Sequence, residues 1–103
     1  CIQQPDLIAY GNNIVSCNNN YKLKKYTVKS GTSMATPVVT GCAALLLSKY
    51  PELKNIDVKR KMIESCKDVN LPANIQGAGV INPVELLGVK WWLLYLLLYI
   101  YDD

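Results

Sequence analysis

The sequence predicts an α/β chain, and three observations carry that prediction. From about Ser33 to Tyr50 runs a segment in which, between Val38 and Leu47, only Thr40 is polar. A helix apolar nearly all round is a buried helix. From about Asn55 to Asp68, Val58, Met62, Cys66 and Val69 recur at helical spacing on a second, amphipathic helix. Short apolar stretches bounded by turn residues supply a few short strands. A fully buried helix needs cover on every side. One outer helix and three short strands are little cover, so the architecture is expected to be incomplete as a domain.

Taken in order, Pro5–Ala9 (PDLIA) reads as a short buried strand, and Gly11, Asn12 and Asn13 as the turn after it. Cys17–Lys25, with three consecutive Asn and three Lys, reads as a polar solvated loop, and Tyr26–Val28 as a second strand. Ser33 suits the start of the buried helix. Pro37 falls in its first turn or just past it, where proline is tolerated, and Pro51 ends it. Gly41 and the alanines let a neighbouring element come close. Asn55 suits a cap for the outer helix, with Asp57 near its positive end. Lys59, Arg60 and Lys61 face mostly outward. Ala78–Asn82 reads as a third strand and Val84–Leu87 as the start of a last helix.

Composition narrows the function classes. With 103 residues the chain is the size of one small domain. The net charge of +3 is too mild to argue for nucleic acid as a partner. There is no His, which excludes His-ligated metal and a catalytic His from this chain. The cysteines at 1, 17, 42 and 66 allow three pairings and form no C-x-x-C, so neither a zinc site nor a redox motif is expected. Cys42 and Cys66 read as core residues. Residues 91–101, WWLLYLLLYIY, are apolar throughout. The run is shorter than the roughly 20 residues a membrane span needs, and it lacks the charged face of a surface anchor. Membrane association of this tail is not expected.

The chemistry centres on GTSMATP, Gly31–Pro37, where a loop enters the buried helix. The free backbone N–H groups of a helix start favour developing negative charge. A serine there can attack a carbonyl while its own backbone N–H holds the oxyanion. Gly31 lets a substrate backbone come close, and Ala35 avoids crowding. A plain capping serine is the competing interpretation of Ser33 by itself.

The longer string settles the weighting. GTSMATP followed by VVTG closely resembles the nucleophile signature of the subtilisin-like serine proteases, the subtilases. Pro5–Gly11 (PDLIAYG) is similar to that family's Pro-Asp strand leading to Ala-Pro-Gly, with Tyr10 in place of the proline. Ala44–Pro51 resembles the end of the nucleophile helix, Asn55–Cys66 the helix that follows, and Gln76–Asn82 (QGAGVIN) the closing Gly-x-Gly strand. Val38 stands where a non-catalytic His is frequent. The resemblance spans about residues 3 to 87 in family order.

The resemblance implies the C-terminal portion of a subtilisin-like three-layer fold. Residues 1–87 would be part of a catalytic domain and 88–103 an apolar tail of unknown role. It implies peptide-bond hydrolysis through an acyl-enzyme on Ser33, with Gly31 and Thr32 bordering the substrate, and no cofactor. It also implies what is missing. The family places its Asp, its His and its oxyanion Asn upstream of the serine, but only 32 residues precede Ser33, none of them His. Asp6 belongs to the strand motif, and Asn12 and Asn13 to the loop after it. The expected partners are therefore a peptide or protein substrate and the N-terminal part of the same catalytic domain. Alone, the chain is expected to be inactive and prone to associate. A non-catalytic remnant or pseudoprotease that binds through its exposed core face is the alternative.

Two further motifs fit less well. Gly31–Ala35 resembles the G-x-S-x-G elbow of α/β-hydrolases, but that elbow requires neither Pro37 nor the Val-Thr-Gly that follows. Gly77-Ala78-Gly79 lacks the third glycine of a nucleotide loop. Localisation stays open, since relatives are secreted or intracellular.

Overall fold

The structure, a computed structural model, describes residues 5–88. Cys1 and the 91–101 tail lie outside the described residues. The elements in chain order are β1 (Ile14–Cys17), β2 (Tyr26–Lys29), α1 (Thr32–Lys49), α2 (Asn55–Glu64), α3 (Ala73–Gln76) and α4 (Pro83–Leu87).

α1 is the centre of the molecule, and both α2 and α4 pack against it. The core is small: Cys42 and Leu46 from α1, Met62 from α2, Ile81, and Leu86 from α4. Leu46 is fully buried, yet its neighbour Leu45 is 54% exposed. This is the incomplete cover that the sequence predicts. α1 is covered on one stripe only, and its apolar opposite face meets solvent. α4 is tied to the end of α1 by the Lys49 Nζ, which donates to the carbonyl of Leu87. Asn82 caps α4, its Oδ1 accepting from the Glu85 N–H at 3.3 Å.

α2 is shorter than its apolar spacing predicts, ending at Glu64 instead of near Asp68. The reason lies in the pairing that follows. Ser65 Oγ and Cys66 Sγ both donate to the Met62 carbonyl. The chain then turns to pair Lys67 with Val80 through two hydrogen bonds of 2.8 and 2.9 Å. Cys66 and Val69 leave the helical stripe, but both stay half-buried beneath it. The cap residue is Lys54, not Asn55: the Lys54 N–H donates to Asp57 Oδ2 at 3.2 Å. Asp57 thereby serves the helix start as its position predicts, and it also pairs with Arg60.

Two expected strands, Pro5–Ala9 and Ala78–Asn82, reduce to single pairings. Val80 bridges Ile8 in parallel on one side and Lys67 antiparallel on the other. Ile8 N–H donates to the Gly79 carbonyl at 2.9 Å, and Ile81 N–H to the Ile8 carbonyl at 2.8 Å. The hydrogen-bonding arrangement is that of a sheet one residue deep. Pro5–Ala9 is half-buried to exposed rather than buried.

β1 and α3 go beyond the elements that the sequence predicts. β1 pairs antiparallel with β2, in the register Ile14↔Lys29, Val15↔Val28, Ser16↔Thr27 and Cys17↔Tyr26. The expected polar loop thus starts after Cys17. Its three Asn and its Lys residues form the hairpin connection, and the second strand runs one residue past Val28, to Lys29. Among the described residues no helix is long and apolar enough to cross a membrane.

Candidate functional site

The start of α1 is built by two close backbone approaches. Gly31 is the helix cap, at φ 146°, ψ 169°, with no side-chain cap bond. A φ in that range is one that side chains rarely adopt, so the position demands glycine. The Gly31 carbonyl accepts from Met34 N–H at 3.0 Å and Ala35 N–H at 3.2 Å. The Gly31 N–H donates to the Gly11 carbonyl at 2.7 Å. A Cβ on Gly11 would lie 2.5 Å from the Gly31 oxygen and 3.2 Å from Ala35 Cβ. Gly11 is thus glycine because the helix entrance lies against it.

The turn beside Gly11 grips the same loop. The Ser30 hydroxyl accepts from Asn13 N–H at 2.8 Å and donates to Asn12 Oδ1 at 3.0 Å. Asn13 takes a left-handed φ of 53°, which asparagine tolerates better than most residues. The Gly11–Asn13 turn and Ser30 therefore act as a clamp on the loop that delivers Ser33.

Ser33 is the second helical residue of α1 and is exposed. It does not cap the helix, so its hydroxyl is not committed to that role. The N–H groups of Thr32 and Ser33 lie in the first turn, where no preceding carbonyl can receive them within the helix. Pro37 lies within α1, past its first turn. It has no N–H to give to the residue four before it, which is Ser33. Its place so close to the helix start limits the damage to one bond. Thr36 Oγ1 donates to the Thr32 carbonyl at 3.0 Å, and Thr40 Oγ1 to the Thr36 carbonyl at 3.1 Å, bracing this turn.

The three predicted site residues, Gly31, Thr32 and Ser33, are thus consecutive at one exposed helix start. Gly11, Asn12 and Ser30, which position them, do not stand out as a set in the sequence. The signal was faint: a Gly-Asn-Asn turn upstream and a serine next to the motif. No acidic residue stands in the first turn of α1. The positive end of the helix dipole is therefore uncompensated locally, a setting that favours an anion. Among the described residues no group of three or more His, Cys, Asp or Glu could hold a metal ion.

Such a helix start can hold an oxyanion on backbone N–H groups while a hydroxyl beside them forms a bond to carbon. The proton of that hydroxyl needs a base, and no His exists in the sequence to take it.

Residues 2–79 match the subtilase family. The chain is 40% identical over 94 residues to the serine protease AprX of Bacillus subtilis, covering 78% of this chain and 21% of that protein. It is 40% identical over 68 residues to subtilisin DY of Bacillus licheniformis, covering 66% and 24%. In structure it is similar to fervidolysin from Fervidobacterium pennivorans, a keratinolytic enzyme related to subtilisin, with a TM-score of 0.66 at 26% identity, covering 78% and 14%. It is also similar to the epidermin leader peptide processing serine protease of Staphylococcus aureus, with a TM-score of 0.64 at 32% identity, covering 75% and 18%. The chain spans no more than about a quarter of the length of any of these four proteins.

Proposed function

Because the chain belongs to the subtilase family, we propose that Ser33 is the nucleophile of a serine endopeptidase of which this chain is one part. The observation that carries the reading is the exposed Ser33 hydroxyl beside unpaired N–H groups at the start of α1. Ser33 Oγ attacks the scissile carbonyl carbon and its proton passes to a base. The former carbonyl oxygen becomes an oxyanion that accepts from the Ser33 N–H. The tetrahedral intermediate expels the amine, which takes the proton, and leaves an acyl group on Ser33. Water then releases the acid and restores the serine. Gly31, lacking a side chain, and Thr32 border the extended substrate. No cofactor enters these steps.

The base, its orienting acid and a second oxyanion donor come from outside these residues. They would be supplied by the N-terminal part of the same catalytic domain. Residues 1–87 are accordingly assigned to part of that domain, and 88–103 to an apolar tail beyond it. Without the base a serine hydroxyl is a weak nucleophile. Removing the base from such a unit costs about 10⁶-fold in kcat. The chain alone is therefore inactive in this reading.

The absence of His also favours a second reading, a non-catalytic chain that binds partners through the uncovered face of α1. The test is to sequence upstream of Cys1 and express whatever in-frame segment is found. A segment bearing Asp and His motifs, with casein hydrolysis lost in Ser33→Ala, supports the peptidase. A stop codon or unrelated sequence supports the non-catalytic chain.

A further inference from the structure

We propose that the β1–β2 hairpin is a docking strip for acidic peptide segments, with Lys29 its contact nearest the nucleophile. The proposal rests on the reading of Ser33 above and names the substrate class.

The first support is the distribution of charge. From Leu7 to Pro51 the only charged side chains are Lys22, Lys24, Lys25, Lys29 and Lys49, with no Asp or Glu between them. The four lysines of the hairpin region are all exposed. Among the described residues, ion pairs form only at α2, Lys59 with Asp6 and Arg60 with Asp57. The hairpin lysines have no carboxylate partner there. Solvated lysines are ordinary; four on one hairpin with no acid in the surrounding sequence make a field of a single sign.

The second support is geometry. The β1–β2 register places Ile14, Ser16, Thr27 and Lys29 on one face of the hairpin. Those four residues, with Cys17 and Met34, line a cleft, and Met34 is the residue after Ser33. Lys29 thus flanks a cleft to which α1 contributes the residue directly after Ser33. Lys25 stands just before the other end of β2, four residues and about 13 Å away at the usual rise of a strand, and Lys24 one residue further. An extended peptide seated at Ser33 and running along the hairpin would meet Lys29 first and Lys24 and Lys25 about four residues later. Carboxylates at those places would gain the complementary charge that the chain itself does not supply.

The test uses the full 103-residue chain, isotopically labelled, and three fluorescent octapeptides that differ only in bearing Glu, Gln or Lys at two positions. The expected result is that the Glu peptide binds about five-fold tighter than the Gln peptide at low salt and the Lys peptide weakest. The order should collapse near 0.5 M salt, where screening acts within about 4–5 Å. Lys29→Glu, with an otherwise unchanged amide spectrum, should narrow the preference for the Glu peptide over the Lys peptide. The Gly31–Met34 amides should shift as the Glu peptide binds. Equal affinities for the Glu and Gln peptides, with those amides shifting in both, would overturn the charge preference and leave the reading of Ser33 standing. If no peptide moves the Gly31–Met34 amides, the proposal and the reading beneath it both fail. Tighter binding of a single-stranded oligonucleotide than of the Glu peptide would also overturn the proposal.

Discussion

Gly11 and Gly31 meet backbone to backbone: the Gly31 N–H donates to the Gly11 carbonyl at 2.7 Å, and a Cβ on Gly11 would stand 2.5 Å from the Gly31 oxygen. The contact joins the segment after Ile8, which bridges Val80, to the loop that begins α1. Its geometry fixes the cap of α1, two residues before Ser33.

Gly11→Ala tests that contact. The methyl must displace the Gly31 carbonyl, which also accepts the first two helix bonds. We expect a local cost of about 1–3 kcal/mol, the range for overpacking a close contact. Amide exchange at Gly31, Met34 and Ala35 should quicken, while Met62 and Ile81 in the core keep their protection. Unchanged exchange at Gly31 would show that the approach is not constraining.

The two faces of α1 should respond oppositely to substitution. Leu46→Ala removes a side chain with no exposure and should cost about 2–5 kcal/mol, seen as lost amide protection at Met62 and Ile81. Leu45→Lys, on the uncovered face, should leave that protection intact and reduce self-association in sedimentation, because exposed apolar patches promote association. The unsubstituted chain should lack a sharp monomeric melt. A cooperative transition in a monomer would show that the segment packs well alone.

Asp68 provides a pH-dependent check. The Gln76 side-chain amide donates to Asp68 Oδ1 at 2.9 Å, and the Asn70 N–H donates to the same oxygen at 2.7 Å. The Gln76 bond is the main cause, and the Asn70 bond the second, of an Asp68 pKa below the usual carboxylate value, with slight desolvation opposing them. A lowered folded pKa means that the stabilisation is present above the ordinary Asp range and is lost as pH falls through the folded value. Gln76→Ala should therefore raise the Asp68 pKa in a carboxyl NMR titration. An unmoved pKa would remove Gln76 as the cause.

The cysteines should separate by reactivity. Burial pushes the thiols of Cys42 and Cys66 up from their ordinary value, which lowers their thiolate fraction, whereas Cys17 is exposed. In a Cys1→Ser background at pH 8, iodoacetamide should modify Cys17 first, followed by Cys66 and then Cys42. Peptide mapping reads the order directly. Equal rates at all three would mean that α1 and α2 do not stay packed.

What the sequence conveyed well was the part governed by local rules. The span of α1 follows from its apolar run, with proline near its start and Pro51 beyond its end. Gly31, Thr32 and Ser33 were legible because one short motif holds them in consecutive positions. β1 was hidden because Ile14–Cys17 carries only two strongly apolar residues beside a run of asparagines, and its pairing depends on β2. α2 ends before its helical spacing predicts because Lys67 is taken by Val80, a tertiary hydrogen-bond demand that overrides helical spacing. The clamp of Gly11, Asn12 and Ser30 depends on contacts across 17 to 20 residues of sequence, which periodicity does not report.

In the proposed function Ser33 stands ready for acyl transfer and its base comes from outside these residues. Fluorophosphonate labelling followed by mass spectrometry tests it most directly. The purified 103-residue chain should take up no more probe than Ser33→Ala does. Strong labelling that maps to Ser33 and disappears in Ser33→Ala would show that this chain activates the hydroxyl unaided, contrary to the account.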